Sequence, residues 1–362
     1  MARTTLAGGA GRTLLAECLG ALLQFFSSHE ACALRLVCRE FQAAVTAYPW
    51  EDRITVILGS IGNWRACFPR ARCANVNSYS DEDRVVRRAP VVDADFVHFV
   101  GLWELNMSSC RAVTGAAFVH LRGIRVLDMS DCNQPTITDA SLAHLAGIQK
   151  LSIWGCTQET LTDAAFAPLK GIRVLNMGYC PQFTDAAFAH LKGIHTLLMG
   201  FCIQPTITDA ALAHLVGIQK LSIVGCTQAT LTDAAFAPLR GIRVLNMSFC
   251  PQFTDAAFAH LKGIHTLLMW DCNQPTITDA ALAHLEGIKC LVLEDCSIPF
   301  TEVGLAHLQG ITRLHMQCAN AASMAAARGL GLPVSAGPCT DASSFQFCDA
   351  ESGPWPTGAE WA

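Results

Sequence analysis

Residues 149–218 and 219–288 are almost the same seventy residues written twice. A duplication this close predicts an array of stacked units, because near-identical segments fold alike and must pack on one another. The copies differ at nine positions, of which six lie within two residues of a recurring cysteine. These nine are Trp154/Val224, Glu159/Ala229, Lys170/Arg240, Gly178/Ser248, Tyr179/Phe249, Gly200/Trp270, Phe201/Asp271, Ile203/Asn273 and Val216/Glu286. Changes gathered at one part of a repeat favour a scaffold for a binding surface over a catalytic fold.

Each copy contains three shorter repeats, with steps of 22 to 24 residues. In residues 172–193, Leu175 and Met177 are two positions apart and are predicted to point inward from a short strand, because alternate strand residues share a face. A threonine–aspartate pair at Thr184 follows and is placed to cap a short helix. Gly193 then ends that helix, where a positive φ is needed. One such unit cannot bury its apolar side alone, so neighbouring units must stack.

Complete units begin near Leu102, Ile124, Ile148, Ile172, Ile194, Ile218, Ile242, Ile264 and Ile288, and a degenerate unit begins at Ile311. An irregular first unit precedes them. Its strand is predicted near residues 71–76, and its helix half, "VVDADFVHFVGL", spans residues 91–102.

Cysteine takes the ninth position in nine successive units: Cys110, Cys132, Cys156, Cys180, Cys202, Cys226, Cys250, Cys272 and Cys296. With the recurring "(I/L/F)TD" that follows, this pattern resembles the cysteine-containing subtype of leucine-rich repeat. The resemblance implies an α/β solenoid over residues 102–318, a horseshoe with parallel strands inside and helices outside. Residues 319–362 are expected to form a disordered or loosely attached tail.

The 18 cysteines of the chain include this column, which stacking would bury as free thiols. Free buried thiols fit a reducing compartment, so we expect a cytoplasmic or nuclear protein without disulfides. No C-x-x-C pair or cysteine–histidine spacing suggests a metal site, and no cofactor is expected. No apolar stretch approaches the ~18 residues of a membrane span. Glu17 and Gln24 interrupt the apolar segment 14–26, which argues against a signal peptide.

Residues 1–13 are expected to form a flexible N-terminus. Residues 14–50 have apolar residues at helical spacing on both sides of "SSHE". The segment resembles an F-box: it opens with a Leu-x-x-Glu match, has an apolar first helix, and ends at Trp50. By this resemblance "LRLVCREF" at 34–41 is expected to form the second helix. Leu15 stands where the family has proline. The resemblance implies docking to a Skp-type adaptor and a cullin scaffold. By the same match, the adaptor-binding residues are Leu14, Leu15, Glu17, Leu19, Leu22, Phe26, Leu36 and Val37.

A simpler interpretation remains open for this small all-α module. Solenoids need their open ends covered, and residues 14–50 would serve as a plain helical cap. Residues 51–101 would then be a linker together with the irregular first repeat.

The strand positions beside the inward leucines predict what a partner would meet. Over eight units between Ile124 and Ile311, seven of 32 such positions are charged, two lysines and five acids, for a net charge of −3. A nucleic-acid binder needs a basic track, so nucleic acid is not expected here. Aromatic and aliphatic side chains at these positions predict a protein-binding surface instead. The candidate target-binding residues are Trp154, Tyr179, Leu198, Phe201, Phe249, Leu268 and Trp270.

Catalytic patterns are missing from the repeats. Seven histidines share one helix position with Pro168 and Pro238, which indicates a structural position. The function expected is therefore that of a non-catalytic F-box subunit of a cullin-based (SCF-type) ubiquitin ligase, which recruits an unidentified target. The alternative is a leucine-rich-repeat binding scaffold or inhibitor with no ubiquitin role. An enzyme would need a site in residues 51–100 or the tail, where no paired nucleophile and base stand.

Overall fold

The computed structural model describes residues 18–19, 21–26, 28–51, 57, 59–77, 89–317 and 321–335. Twelve strands form one parallel sheet in which the strand order is the chain order. The predicted leucine-rich-repeat solenoid is confirmed. The strands are β1 (Cys73–Asn75), β2 (Glu104–Asn106), β3 (Val126–Asp128), β4 (Lys150–Ser152), β5 (Val174–Asn176), β6 (Thr196–Leu198), β7 (Lys220–Ser222), β8 (Val244–Asn246), β9 (Thr266–Trp270), β10 (Cys290–Glu294), β11 (Arg313–Gln317) and β12 (Val334–Ser335).

The strands pair in register, so each strand residue lies beside the equivalent residue of the next repeat. Leu127, Leu151 and Leu175 are aligned in this way across β3, β4 and β5. These leucines are fully buried in one core that runs without interruption from Ile61 to Leu332. The period-2 pairing read from the sequence therefore fixes both strand register and core.

Short helices cover the other side of the core. The α-helices are Ser28–Leu34, Arg39–Ala47, Ile61–Cys67, Asp139–Leu142, Asp185–Phe188, Asp209–Ala213, Asp255–Phe258, Asp279–Ala283, Glu302–Leu305 and Ala321–Gly329. The 3-10 helices are Asp93–Phe99, Gly115–Leu121, Ala143–Leu145, Asp163–Leu169, Ala189–Leu191, Asp233–Leu239 and Ala306–Leu308. Gly193 has a φ of +83°, which confirms its expected role in the turn between helix and strand.

The threonine–aspartate pairs do more than cap their own helices. Thr208 accepts a hydrogen bond from the amide of Ala210, as predicted. Asp209 instead reaches the next repeat, where its carboxylate accepts from the amide and the hydroxyl of Thr232, each at 2.7 Å. Eight such links join successive repeats, from Asp93 to Thr301. The aspartate is thus a connector between repeats.

The nine repeating cysteines are buried free thiols, as expected from the sequence. Each donates to a backbone carbonyl of the preceding repeat; Cys202, for example, lies 3.2 Å from the carbonyl oxygen of Met177. Burial raises the pKa of Cys202 to about 11 and that of Cys250 to about 12. The column therefore consists of protonated, hydrogen-bonded thiols that join repeats from the inside.

The N-terminal module has a small core separate from that of the solenoid, formed by Leu23, Ala31, Val45 and Trp50 and completed by Phe68 and Ala71 of the following segment. Trp50 is buried and donates its indole N–H to the carbonyl oxygen of Val45 at 2.8 Å. The expected single helix over "LRLVCREF" is wrong. One helix ends at Leu34, a turn follows, and Cys38 accepts from the amide of Phe41 at the start of the next helix.

The predicted end of the array at residue 318 is also wrong. The helix Ala321–Gly329 packs on the last repeat, where the Ser323 hydroxyl donates to the carbonyl oxygen of Phe300 at 2.8 Å. Strand β12 then pairs with β11. Ala327 and Leu332 are buried and extend the apolar core, which is why this alanine-rich segment is ordered. The rest of the proposed tail, 336–362, lies outside the described residues.

Candidate protein-binding surface

Asparagine and aspartate side chains at the ends of four strands shape the turn that follows. The Oδ1 atoms of Asn106, Asp128, Asn176 and Asn246 each accept from the amide two residues on. This bond, an Asx turn, sends the chain out of the sheet plane towards the buried cysteine. The residue between that amide and the cysteine then projects from the edge of the strand face.

This projecting position has a positive φ in nine successive units: Ser109, Asp131, Gly155, Tyr179, Phe201, Gly225, Phe249, Asp271 and Asp295. Glycine and aspartate tolerate the left-handed region, whereas it is strained for bulky aromatic residues. The fold accepts serine, glycine or aspartate here, so nothing in the backbone requires Tyr179, Phe201 or Phe249. Sequence reasoning noted the aromatics but missed this backbone conformation, although the recurring Gly and Asp at one position were a signal for it.

Five aromatic side chains on this edge form what we call the aromatic ridge: Trp154, Tyr179, Phe201, Phe249 and Trp270. The Trp154 and Tyr179 rings meet edge-on with centroids 5.1 Å apart, and Tyr179 stacks on Phe201 at 4.5 Å. Tyr179 is 41% exposed, and the other four are exposed or half-buried. Trp154, Tyr179 and Phe201 are in contact, and Phe249 and Trp270 lie further along the same edge, beyond the repeat that carries Val224 and Gly225. All five are among the seven residues predicted to bind a target.

Glycines on the next repeat make room for these rings. A Cβ atom added to Gly178 would lie 2.8 Å from Cδ1 of Trp154, and one added to Gly225 would lie 2.6 Å from the ring of Phe201. The second copy has Val224 and Ser248 in place of Trp154 and Gly178. A large ring and a neighbouring glycine are therefore exchanged together between the copies.

The prediction of a target contact is wrong for two residues, because both are buried. Leu198 and Leu268 are only 2% and 4% exposed. They lie outside the continuous core, and each is paired with a strand on both sides. Adjacent strands lie about 4.8 Å apart, so a central strand position is shielded even on the open face. These leucines support the surface without presenting a contact area.

Carboxylates stand at both ends of the aromatic ridge. Asp128 and Asp131 precede it, and Asp271, Glu294 and Asp295 follow it. Burial raises the pKa of Asp131, although Arg111 opposes the shift. Burial likewise raises the pKa of Glu294, with His315 opposing and Asp295 reinforcing the effect. The surface is thus aromatic in its middle and acidic at its ends.

The N-terminal module presents a second apolar surface. Leu36 and Val37 lie in the turn between helices and are 89% and 65% exposed; Leu22 is 43% exposed. Leu19 and Phe26 are half-buried. The remaining predicted adaptor contacts, Leu14, Leu15 and Glu17, lie outside the described residues. The resemblance to an F-box did not single out Phe25, which is 79% exposed.

The described residues contain no group of three or more His, Cys, Asp or Glu side chains placed to hold a metal ion. Over the same ranges, no helix is long and apolar enough to cross a membrane.

No protein-family model matches the chain, and no characterised protein matches it in sequence. Its fold is similar to solved leucine-rich-repeat structures. Toll-like receptor TLR13 in complex with ssRNA13 is 15% identical with a TM-score of 0.44, covering 70% of this chain and 43% of that one. Drosophila Toll in complex with Spatzle is 13% identical with a TM-score of 0.48, covering 71% and 43%. The chain thus spans under half the length of these two proteins.

Yeast Rad7, solved in complex with Elc1, is 14% identical with a TM-score of 0.38, covering 86% of this chain and 87% of that chain. These similarities concern the repeat architecture alone.

Proposed function

We propose that the chain is a non-catalytic, target-recruiting F-box subunit of a cullin-based ubiquitin ligase. The N-terminal module holds a Skp-type adaptor, and the aromatic ridge holds the target. The chain supplies proximity: it raises the effective concentration of a target lysine near the catalytic partner of the ligase.

The exposure of Leu36 and Val37 is the observation that carries this proposal. Both belong to "LRLVCREF", the stretch that most resembles an F-box, and both point away from the small core of the module. Burying such a side chain contributes about 1.5–3 kcal/mol, so leaving it exposed forgoes stability that docking to an adaptor would recover.

Binding of a purified Skp-type adaptor to the full chain tests the proposal. We expect a 1:1 complex by calorimetry, lost when Leu36→Asp is combined with Val37→Asp. Both side chains are exposed, so the double variant should fold normally. Val303→Asp, an exposed residue on a distant repeat, is the matched control and should bind like the wild type. Absence of binding by the wild type, or equal binding by the double variant, contradicts the proposal.

The second candidate function is a binding scaffold with no ubiquitin role, in which the module is only a cap. Trp64 favours it, because this residue packs against both the module core and the solenoid core, as a cap requires. This candidate predicts that the ridge binds a partner whose cellular level is unaffected by proteasome inhibition.

A further inference from the structure

The aromatic ridge has a chemical pattern that specifies its partner beyond being a protein. Tyr179, Phe201 and Phe249 have φ values of +55°, +59° and +58°. Residues with strained backbone are more frequent at functional sites, where the role of the side chain offsets the cost of the conformation. Asp131 and Asp271 occupy the same position in flanking repeats without that strain, because aspartate tolerates it.

At the positive-φ position and the position just before it, charged residues occur only at the two ends of the aromatic ridge. From Trp154 to Trp270, every residue just before and at the positive-φ position is uncharged. At these two positions one carboxylate, Asp131, precedes this stretch, and three follow it: Asp271, Glu294 and Asp295. Lys150 and Lys220 lie on a neighbouring column, and Lys220 is buried. A partner that follows the ridge would therefore meet negative charge first, then aromatic rings, then negative charge again.

The C-terminal end of the ridge also has unused hydrogen-bonding capacity. Trp270 and Glu294 face each other on the paired strands β9 and β10. The indole Nε1 of Trp270 and the Oε2 of Glu294 are both shielded from solvent, and neither has a hydrogen-bond partner among the described residues. Buried polar atoms are normally paired, so a small displacement of the half-buried Trp270 and Glu294 side chains on binding would let the indole N–H donate to a partner and the carboxylate accept from one.

The distance between the two acidic ends follows from the spacing of the repeats. Each positive-φ residue donates its amide to the following repeat, from Asp131 to Asp271, so the spacing of the strands continues along this edge. Asp131 and Asp271 are six repeats apart, which at about 4.8 Å per strand is about 29 Å. An extended chain covers that distance in about nine residues at ~3.3 Å each.

We propose that the target segment is an extended, apolar stretch flanked by basic residues about nine positions apart. The apolar middle packs on the aromatic ridge. One basic side chain pairs with Asp131 and the other with the Asp271, Glu294 and Asp295 cluster. The inference rests on the proposed role of the ridge as the target-binding surface, and it names the chemistry of the target. In the free chain burial raises the pKa values of Asp131 and Glu294 more than Arg111 and His315 lower them, so a basic side chain of the target would stabilise both carboxylates further.

Selection from a library of random 16-residue displayed peptides, with the full chain as bait, tests this inference. We expect enriched peptides that carry two basic residues, about nine positions apart, around an apolar centre. A synthetic enriched peptide should bind about tenfold more weakly when Asp131→Asn and Asp271→Asn are combined. Asparagine tolerates a positive φ, so this variant keeps the backbone. Glu159→Ala removes a charge away from the ridge, and the second copy naturally has alanine there; it should leave affinity unchanged.

The inference is overturned if no sequence is enriched, if enriched peptides lack the basic pair, or if the double variant binds them normally. Its failure is distinguishable from that of the proposed function. Peptides with the basic pair and no adaptor binding would leave this inference standing without the ubiquitin role. Adaptor binding without peptide enrichment would do the reverse.

Discussion

At the residue scale, two side chains join each repeat to the next: an aspartate on the helix side and a cysteine inside the core. Asp209 holds both the amide and the hydroxyl of Thr232, while Cys202 holds a carbonyl oxygen of the repeat before it. Both links recur along the chain. Stability in such an array is a sum of repeat and interface contributions, so each link acts locally.

Replacement of Asp209 by alanine should destabilise the chain by about 1–3 kcal/mol, because two hydrogen-bond donors on Thr232 lose a charged acceptor. Urea unfolding measures the loss. Glu159→Ala, an exposed change that the second copy already contains, should stay within about 0.5 kcal/mol of the wild type. Equal stability of the two variants would show that the aspartate link does not join the repeats.

The cysteine column predicts alkaline lability. The pKa of Cys202 is raised from 9.0 to about 11, so above pH 9 the unfolded thiol ionises while the native one keeps its proton. Stability therefore falls as pH rises from 9 to 11, by up to about 1.4 kcal/mol per pH unit for this group. Cys202→Ser keeps a donor and does not titrate in this range. Urea unfolding at pH 8 to 10.5 should show a shallower fall for the variant; parallel curves would contradict the assignment.

At the element scale, the ridge depends on pairs of neighbouring repeats. Trp154 lies over Gly178, and the second copy pairs Val224 with Ser248. A ring that leans on the next repeat needs a glycine there, which links two sequence differences that are 24 residues apart.

A double-mutant cycle tests this pairing. Gly178→Ser alone should displace Trp154 and cost about 1 kcal/mol, because the added Cβ overlaps the indole. Gly178→Ser combined with Trp154→Val reproduces the second copy and should recover most of the loss. We expect a coupling of at least about 0.5 kcal/mol from urea unfolding, with indole fluorescence reporting the displacement. Additive effects would show that the two differences are independent.

Strand register, the cysteine column and the helix-ending glycines could be predicted because each recurs at a fixed period. The positive φ at Tyr179 could not be read from one repeat, since tyrosine is atypical there. The burial of Leu198 escaped prediction because it depends on neighbouring strands, which alternation within one strand does not describe. The helix after residue 320 was missed because its sequence leaves the repeat pattern, although alanine-rich sequence favours helix.

At the scale of the whole molecule, the duplication predicts that one copy is dispensable for folding. Deleting residues 149–218 joins Ile148 to Gln219 and recreates a natural junction between repeats. The shortened chain should fold with three strands fewer, about 14 Å shorter by small-angle scattering. Deleting residues 149–207 instead breaks the register and should prevent cooperative folding. Aggregation of the in-register deletion would contradict the view of the array as interchangeable units.

The proposed function requires two independent binding surfaces on one chain, the exposed turn of the module and the aromatic ridge. Quantitative affinity purification of three forms tests this most directly: the wild type, Leu36→Asp with Val37→Asp, and Trp154→Val with Trp270→Gly. We predict that the module variant loses the Skp-type adaptor and keeps the target, whereas the ridge variant loses the target and keeps the adaptor. Failure of the wild type to retain the adaptor, or a target retained equally by all three forms, would contradict the account.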